Sequence, residues 1–275
     1  MSGLAANAAA GLPPRLVFDF SQLSFIQPAG ITFLSNLVHW LAASGCQVLF
    51  AGLDRGTEAL RYLDDSLFFE QHLGRKLHPF SCPRDTTRPL QKIVQAESHA
   101  WLRMNLMPWL AARLNVSDAS LRQFQVSVSE IFNNIENHTR YDIGSIFVQH
   151  FPRQDRVNIS VSDFGHGIPE SVRKVINLPD AEAIIKATEE GFTTKSIPQN
   201  AGIGLDYLLK SVVLANGGTV TIYSLRGIVR FMSDGTRVIP YAFPHTGYCP
   251  GTTIDINLRT DTIEVLEDES EDLQW

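Results

Sequence analysis

Residues 130–138 read Glu-Ile-Phe-Asn-Asn-Ile-Glu-Asn-His and lie in a longer stretch, 117–140, whose apolar residues recur at helical spacing. Glu130, Asn134 and His138 follow one another at intervals of four residues. On an α-helix each is therefore displaced only about 40° around the axis from the one before, and the three share a face. The apolar residues occupy a different face, so the sequence predicts an amphipathic helix that can point a polar stripe into a cleft.

A second stretch, Asp163-Phe-Gly-His-Gly167, follows a predicted buried strand at 156–162. Because its glycines carry no side chains, a flat ligand can approach the backbone closely here. The carboxylate of Asp163 can accept a hydrogen bond from an amine. An ordinary turn with aspartate at its first position has the same local pattern, so the stretch alone indicates either a turn or a ligand contact.

Two further glycine-containing stretches come later in the chain. Gly202-Ile-Gly-Leu205 runs into a predicted helix at 205–215, and unpaired backbone N–H groups at a helix start suit a phosphate. The spacing is neither the Rossmann pattern nor that of a phosphate loop ending in Gly-Lys-Ser/Thr. Pro250-Gly-Thr-Thr253 opens the last predicted strand with a glycine and a hydroxyl side chain.

In order and spacing, these four stretches resemble the nucleotide-binding boxes of the gyrase, heat-shock chaperone, histidine kinase and MutL (GHKL) ATPase superfamily. Residues 130–138 resemble the N box, and 163–167, 202–205 and 251–252 resemble the three glycine boxes. The resemblance covers about residues 92–260. It implies an α/β fold, a two-layer sandwich of helices on a mixed sheet of the Bergerat type, with ATP between the layers.

The resemblance also implies contacts to two cofactors, ATP and Mg²⁺. It implies that the amide oxygen of Asn134 binds Mg²⁺ at the phosphates, and oxygen ligands are those that magnesium prefers. It implies that Asp163 pairs with the adenine amino group, with support from Thr252 directly or through water. The other residues that it places at the nucleotide are Gly165, Gly167, Ile168, Gly202, Ile203, Gly204 and Leu205.

Residues 169–201 are expected to form a lid over the nucleotide. Within them Glu190-Gly-Phe-Thr-Thr-Lys195 resembles the lid segment of histidine kinases. Lys195 either reaches a terminal phosphate or is an exposed lysine without a role.

Glu130 separates the possible mechanisms, because a carboxylate there can act as general base on an attacking water or hydroxyl. Histidine kinases commonly carry another residue at this position, so the pattern resembles the anti-sigma-factor serine kinases or true ATPases more closely. His138 either supports the phosphates or packs as a structural histidine. His99 lacks the following acid of a phosphoacceptor helix, so a self-phosphorylating core is not expected.

The front of the chain, residues 15–76, reads β-α-β-α, the pattern of a small α/β unit. It resembles the STAS fold of sulfate-transporter tails and anti-sigma-factor antagonists. In that family a serine at the start of the first helix accepts phosphate, but here the matching position is Ala29, which has no hydroxyl group. The unit is therefore expected to dock or regulate rather than to be phosphorylated there.

The predicted organisation is a leader at 1–14, a STAS-like domain at 15–76, a linker at 77–91, an ATP-binding domain at 92–260 and an acidic tail at 261–275. Predicted strands lie at 15–20, 47–51, 145–151, 156–162, 219–225, 228–232, 237–243 and 252–258, with a hairpin turn at Asp234-Gly235. Predicted helices lie at 30–44, 57–69, 92–114, 117–140, 181–190 and 205–215.

Composition excludes several classes of protein. The chain has 275 residues, of which 44% are hydrophobic, so it can bury a core, and its three cysteines form no disulfide or zinc pattern. No segment is apolar enough to span a membrane, and the first residues lack a basic signal-peptide region, so a cytoplasmic protein is expected. The net charge of −6 comes from seven acids in the tail, and a nearly neutral body gives no case for nucleic-acid binding.

Three functions remain open. The leading hypothesis is a Mg-ATP-dependent regulatory protein of bacterial signalling that phosphorylates Ser or Thr on a partner, or hydrolyses ATP slowly. The alternative is a nucleotide-gated binding module without significant turnover. In the third, the front unit acts as a scaffold and the ATP site is vestigial. A protein partner, of the regulator or anti-sigma type, is expected, and a homodimer is possible.

Overall fold

The computed structural model describes residues 12–138, 143–192, 204–244 and 247–266, with side chains at all of these except 93–96, 134–138 and 143. The front of the chain forms a parallel two-stranded sheet and three helices: β1 (Arg15–Asp19), α1 (Pro28–Ala43), β2 (Gln47–Ala51), α2 (Glu58–Asp65) and α3 (Phe68–Leu73). The predicted β-α-β-α order is present. The predicted helix at 57–69 is wrong, because Leu67 adopts a left-handed conformation (φ 69°) that separates α2 from α3.

The rest of the described chain forms one large sheet and the helices that pack on it. The strands are β3 (Thr87–Val94), β4 (Ile143–Phe151), β5 (Arg156–Asp163), β6 (Thr219–Leu225), β7 (Gly227–Ser233), β8 (Val238–Ala242) and β9 (Cys249–Arg259). The helices are α4 (Gln95–Trp101), a π-helical turn (Leu102–Leu106), α5 (Met107–Leu114), α6 (Asp118–His138), α7 (Ile168–Arg173), α8 (Asp180–Ala187), α9 (Gly204–Leu209) and a second π-helical turn (Lys210–Ala215).

The seven strands are ordered β3-β4-β5-β9-β6-β7-β8, and every pairing between them is antiparallel. The α/β sandwich is therefore confirmed, but the mixed sheet implied by the sequence resemblance is wrong. The turns explain this, because β4–β5, β6–β7 and β7–β8 are joined by four residues or fewer, and such short connections allow only antiparallel pairing.

One face of the sheet carries the main hydrophobic core. Alternate residues of the central strands, such as Val157, Ile159 and Val161 on β5, point to this face and are buried against α6, α9 and the π-helical turns. Ser117 begins α6 as the sequence predicts, since its hydroxyl oxygen accepts a hydrogen bond from the backbone N–H of Ser120 at 3.2 Å.

The front unit packs on the opposite face of the sheet. Helix α1 lies across β4 and β5, where Thr32 Oγ1 and Ser160 Oγ are 2.8 Å apart and Ser145 donates to Ser35 at 3.3 Å. Phe147 of β4 and Leu90 of β3 are buried in the front unit's own hydrophobic cluster. The large sheet therefore lies between two layers of helices over β4 and β5.

Strand β3 lies where the sequence analysis places a linker and the first turn of a helix. The sequence pattern does not indicate this strand because it contains Pro89. Proline lacks the N–H group that a central strand needs, but it is tolerated in an edge strand such as β3. The register of β3 against β4 shifts between Arg88 and Gln91, which accommodates the proline. The predicted helix at 92–114 therefore starts only at Gln95.

The ends of the chain are described in part. Residues 1–11 of the predicted leader and 267–275 of the predicted tail lie outside the described residues. Residues 261–266 are mostly exposed, but the backbone of Leu266 bonds to the hydroxyls of Ser117 and Ser120. No helix within the described ranges is long and apolar enough to cross a bilayer.

Candidate functional site

Asp163 ends β5 and is buried, with 8% of its surface exposed. Its Oδ1 accepts a hydrogen bond from the backbone N–H of Gly165 at 2.7 Å. Burial raises the pKa of Asp163 from 3.8 to about 7, although the backbone amides of Gly165 and Thr252 act to lower it. The residue is a buried carboxyl group poised between its charged and neutral forms near neutral pH.

Gly251 packs against Asp163, and Gly167 packs against Gly251, because only glycine fits at these two positions. Gly251 has a φ of 76°, and a Cβ on it would lie 2.2 Å from the carbonyl oxygen of Asp163. Gly167 has a φ of 82°, and its Cβ would lie 2.9 Å from Ser224 Oγ and 3.1 Å from the carbonyl oxygen of Gly251. The structure thus brings the first and third glycine stretches together where the central strand β5 ends and its neighbour β9 begins.

Ser224 joins these stretches, and the sequence analysis missed it. Its hydroxyl donates to the carbonyl oxygen of Gly251 at 2.7 Å, accepts from the N–H of Ile168 at 3.0 Å, and lies 3.1 Å from Thr252 Oγ1. Strand pairing explains the position, because Thr252 is paired with Asp163 on one side and with Ser224 on the other. We call the group Asp163, Gly167, Ser224, Gly251 and Thr252 the glycine junction.

Helix α6 contains the three residues of the polar stripe predicted from the sequence. Glu130 is half-buried on this helix, and its Oε1 accepts a hydrogen bond from Asn133 Nδ2 at 3.5 Å. Asn134 and His138 lie on the same helix, but their side chains are outside the described set. The role of each therefore stays a prediction.

Helix α6 packs against α9. Ser127 of α6 and Ser211 of the π-helical turn that follows α9 are 2.6 Å apart between their hydroxyl oxygens. The second glycine stretch is described only in its last two residues, Gly204 and Leu205, which are half-buried and begin α9. Lys195, Gly202 and Ile203 lie outside the described residues.

The described part of the predicted lid consists of helices α7 and α8. Arg173 at the end of α7 forms ion pairs with Glu170 and with Asp180 at the start of α8. Asp180 also accepts a hydrogen bond from the backbone N–H of Arg226 at 2.7 Å. These contacts attach α7 and α8 to the turn between β6 and β7. The predicted helix at 181–190 corresponds to α8, whereas α7 was not predicted.

Phe164 connects the glycine junction to the front unit. Its ring stacks on that of Trp40 with centroids 5.8 Å apart and planes 17° apart, and it contacts Phe33 at 6.0 Å between centroids. Both partners belong to α1. Because Phe164 stands between Asp163 and Gly165, α1 holds the turn that presents the buried carboxyl group.

Comparisons with known proteins give limited similarity. No family model matches the chain, and no curated protein matches it. Among solved structures, the chain is similar to the ATPase and transducer domains of DNA topoisomerase II from Balamuthia mandrillaris, with 15% identity and a TM-score of 0.26. It is also similar to the ATPase region of Saccharomyces cerevisiae topoisomerase II, with 10% identity and a TM-score of 0.25. These matches cover 45% and 44% of this chain and 34% of each topoisomerase chain.

Proposed function

We propose that the chain binds Mg-ATP and acts as a regulatory protein that phosphorylates Ser or Thr on a partner protein or hydrolyses ATP slowly. The observation that carries the proposal is the glycine junction, in which the buried residue Asp163 packs against Gly251, and Gly251 and Gly167 are two adjoining positions that exclude any side chain.

The junction suits an adenine ring. An ionised carboxylate accepts several hydrogen bonds, and Gly165 supplies one of them, so capacity remains for the adenine amino group. Burying a carboxylate costs free energy unless it is hydrogen-bonded, and a bound amine offsets that cost. The hydroxyl group of Thr252 stands beside Asp163 and supports the contact directly or through water, and Ser224 lies 3.1 Å from the Thr252 hydroxyl on its other side.

The phosphates are assigned to the opposite end of the site, where α6 and α9 are in contact. We assign Asn134 to Mg²⁺, and Gly202 to Leu205 to the phosphates, on the sequence pattern. The donor chemistry fits, because the Asn134 amide offers an oxygen ligand of the kind that magnesium prefers. When bound, Mg²⁺ supplies positive charge at the phosphate oxygens. Glu130 orients or deprotonates the attacking water or hydroxyl.

A second candidate is a nucleotide-gated binding module, and the stack of Phe164 on Trp40 favours it. A ligand that contacts Asp163 acts on the adjacent residue Phe164, and through it on α1. Occupancy of the site can therefore alter the front unit without turnover, provided that ATP binds one arrangement of that contact better than another.

Turnover separates the two candidates. Phosphate release and transfer of labelled phosphate from ATP are measured for the intact protein and for Glu130→Gln, with Glu97→Gln, an exposed acid on α4, as the matched control. A kinase or ATPase loses activity by about a hundredfold or more in Glu130→Gln and keeps it in the control. Magnesium-dependent ATP binding without turnover in the intact protein supports the gated module instead.

A further inference from the structure

A wide groove lies on the other side of the large sheet, between the front unit and the sheet face opposite the main core. Its volume is about 1190 Å³, and none of the five residues of the glycine junction lines it. The walls include aromatic rings of the front unit and of the end of β4, and the floor is formed by side chains of β5, β9 and β6. We call this space the sheet groove.

Strand register orders the floor of the sheet groove. Arg156 on β5 is paired with Arg259 on β9. Two residues further along β5, about 7 Å away, Asn158 is paired with Asn257. Two residues before Asn257 on β9 lies Asp255, which is paired with Ser160. The floor therefore passes from a pair of guanidinium groups, through a pair of amides, to a carboxyl group.

Within this guanidinium pair, Arg156 has unused capacity for an anion. Like charges directly opposite on neighbouring strands are unfavourable. Arg259 is compensated by Asp261 at 2.6 Å, whereas Arg156 makes no ion pair within 4 Å of any described acid. The guanidinium of Arg156 lies 4.5 Å from the centroid of Phe151 instead, and its Nε is buried with no hydrogen-bond partner in the described chain.

The amide and carboxyl groups of the floor have unused capacity for donors. Asn158 is 4% exposed, and its Nδ2 donates to Asp255 Oδ1 at 2.8 Å and to Asn257 Oδ1 at 3.1 Å. These two bonds fix the orientation of the Asn158 amide, so its unpaired buried atom is the acceptor Oδ1. Such an acceptor costs free energy until a hydroxyl, an amine or water reaches it. Asp255 adds a second acceptor beside it.

We infer that the sheet groove binds a phosphorylated polyhydroxy compound, such as a sugar phosphate. This site is separate from the proposed ATP site. The phosphate is held mainly by Arg156, since a guanidinium group pairs with phosphate through two parallel hydrogen bonds. Arg259, whose Nε and Nη2 donate to Asp261, contributes its remaining N–H groups beside it. The hydroxyl groups donate to Asp255 and Asn158, and the exposed ring of Phe25 offers an apolar face at the wall. A groove of about 1190 Å³ with amide and carboxyl groups beside the guanidinium pair has room for a ligand larger than a bare anion.

The test is calorimetric titration of the full chain with three probes: D-glucose 6-phosphate, inorganic phosphate and D-glucose. Glucose 6-phosphate is expected to bind about tenfold or more tightly than inorganic phosphate, because only it reaches both ends of the floor. Arg156→Gln is expected to weaken glucose 6-phosphate by about tenfold, and Arg156→Lys by less. Asp255→Asn is expected to bring its affinity close to that of inorganic phosphate.

Asp163→Asn is the matched control, because it changes the glycine junction and leaves the sheet groove intact. It is expected to bind glucose 6-phosphate as the unchanged protein does, so the result is independent of the proposed ATP site. Thermal unfolding of each variant verifies that it is folded. The inference is overturned if glucose 6-phosphate does not bind saturably, if it binds no better than inorganic phosphate, or if the folded Arg156→Gln variant binds it unchanged.

Discussion

At the scale of single residues, the local sequence predicts what a position can do but not what lies next to it. Asp163, Gly165, Gly167 and Thr252 follow from short motifs, and the structure brings Asp163, Gly167 and Thr252 together. Ser224 carries no local signal, because its importance comes from strand pairing with Thr252 across 28 residues of chain. A serine at the end of a strand has no distinguishing mark before the register is known.

The raised pKa of Asp163 predicts a pH dependence of stability. The residue is protonated in both states below about pH 4, and between pH 4 and 7 the unfolded chain loses the proton that the native state keeps. Its contribution to the free energy of unfolding is therefore present at low pH and is lost as the pH rises through about 7. The loss amounts to roughly 4 kcal/mol at most, since each pKa unit corresponds to about 1.4 kcal/mol.

Urea unfolding at pH 4.5, 6 and 8 checks this prediction against Asp163→Asn, in which no proton is exchanged at this position. The variant is expected to gain stability relative to the unchanged chain as the pH rises. Asp54→Asn, at an exposed aspartate, is the control and should follow the unchanged chain. Parallel pH profiles for the Asp163→Asn variant and the unchanged chain would contradict the prediction.

Substitution by alanine is expected to lower the free energy of unfolding by different amounts at two glycines with positive φ, Gly251 and Gly56. Gly251→Ala places a methyl group 2.2 Å from a carbonyl oxygen, whereas Gly56, with a φ of 58°, has no heavy atom within 4 Å of the added carbon. Both variants strain the backbone by about 1 kcal/mol, but only Gly251→Ala adds overpacking, roughly 1–3 kcal/mol more. Denaturant unfolding measures both, and equal losses would contradict the packing of the glycine junction.

At the scale of elements, predictions succeed where a periodic pattern is bounded by a turn. The strand Thr219–Leu225 has its predicted bounds, and the hairpin at Asp234 forms, with the side chain of Asp234 accepting from the N–H groups of Thr236 and Arg237. Predictions fail where backbone geometry overrides the pattern, as at Leu67. Strand β3 was missed because proline at an edge looks like a linker.

The contact between α1 and the turn after β5 is an element-level feature with a consequence for ligand binding. Phe164→Leu removes the stack on Trp40, and an aromatic pair contributes about 0.5–1.5 kcal/mol. ATP binding is therefore expected to weaken by up to about tenfold, because the turn that presents Asp163 is held less firmly.

Calorimetry with ATP measures this effect, and Phe80→Leu, at a ring that is 85% exposed, is the matched control. The control should bind as the unchanged chain does. If Phe164→Leu also binds ATP with unchanged affinity, the front unit does not position the site.

At the scale of the whole molecule, the sequence predicts two units but not how they pack. The front unit packs on β4 and β5, and polar side chains of β5, β9 and β6 form the floor of the sheet groove beside it. The decisive contacts join residues more than 100 positions apart, such as Thr32 with Ser160, and no local pattern specifies them. The domain bounds, the partner, a possible homodimer and the cytoplasmic location stay predictions.

The packing indicates that the ATP-binding domain is not stable by itself when it is cut at residue 92, the start that the sequence suggests. A fragment of residues 92–275 loses five of the eight residues of β3 and uncovers Phe147, which the front unit buries. We expect lower soluble yield and a lower unfolding temperature than for the full chain, because an apolar side chain and a sheet edge become exposed. A fragment that is as stable as the full chain would contradict the layered packing.

The central claim is that the glycine junction binds the adenine of ATP through Asp163. The measurement that tests it most directly is calorimetric titration of the full chain with ATP and Mg²⁺ at pH 8, beside Asp163→Asn and the control Asp54→Asn. We expect saturable binding that is lost or weakened by about tenfold or more in Asp163→Asn and kept in the control. No ATP binding by the unchanged chain, or equal binding by the folded Asp163→Asn variant, would contradict it.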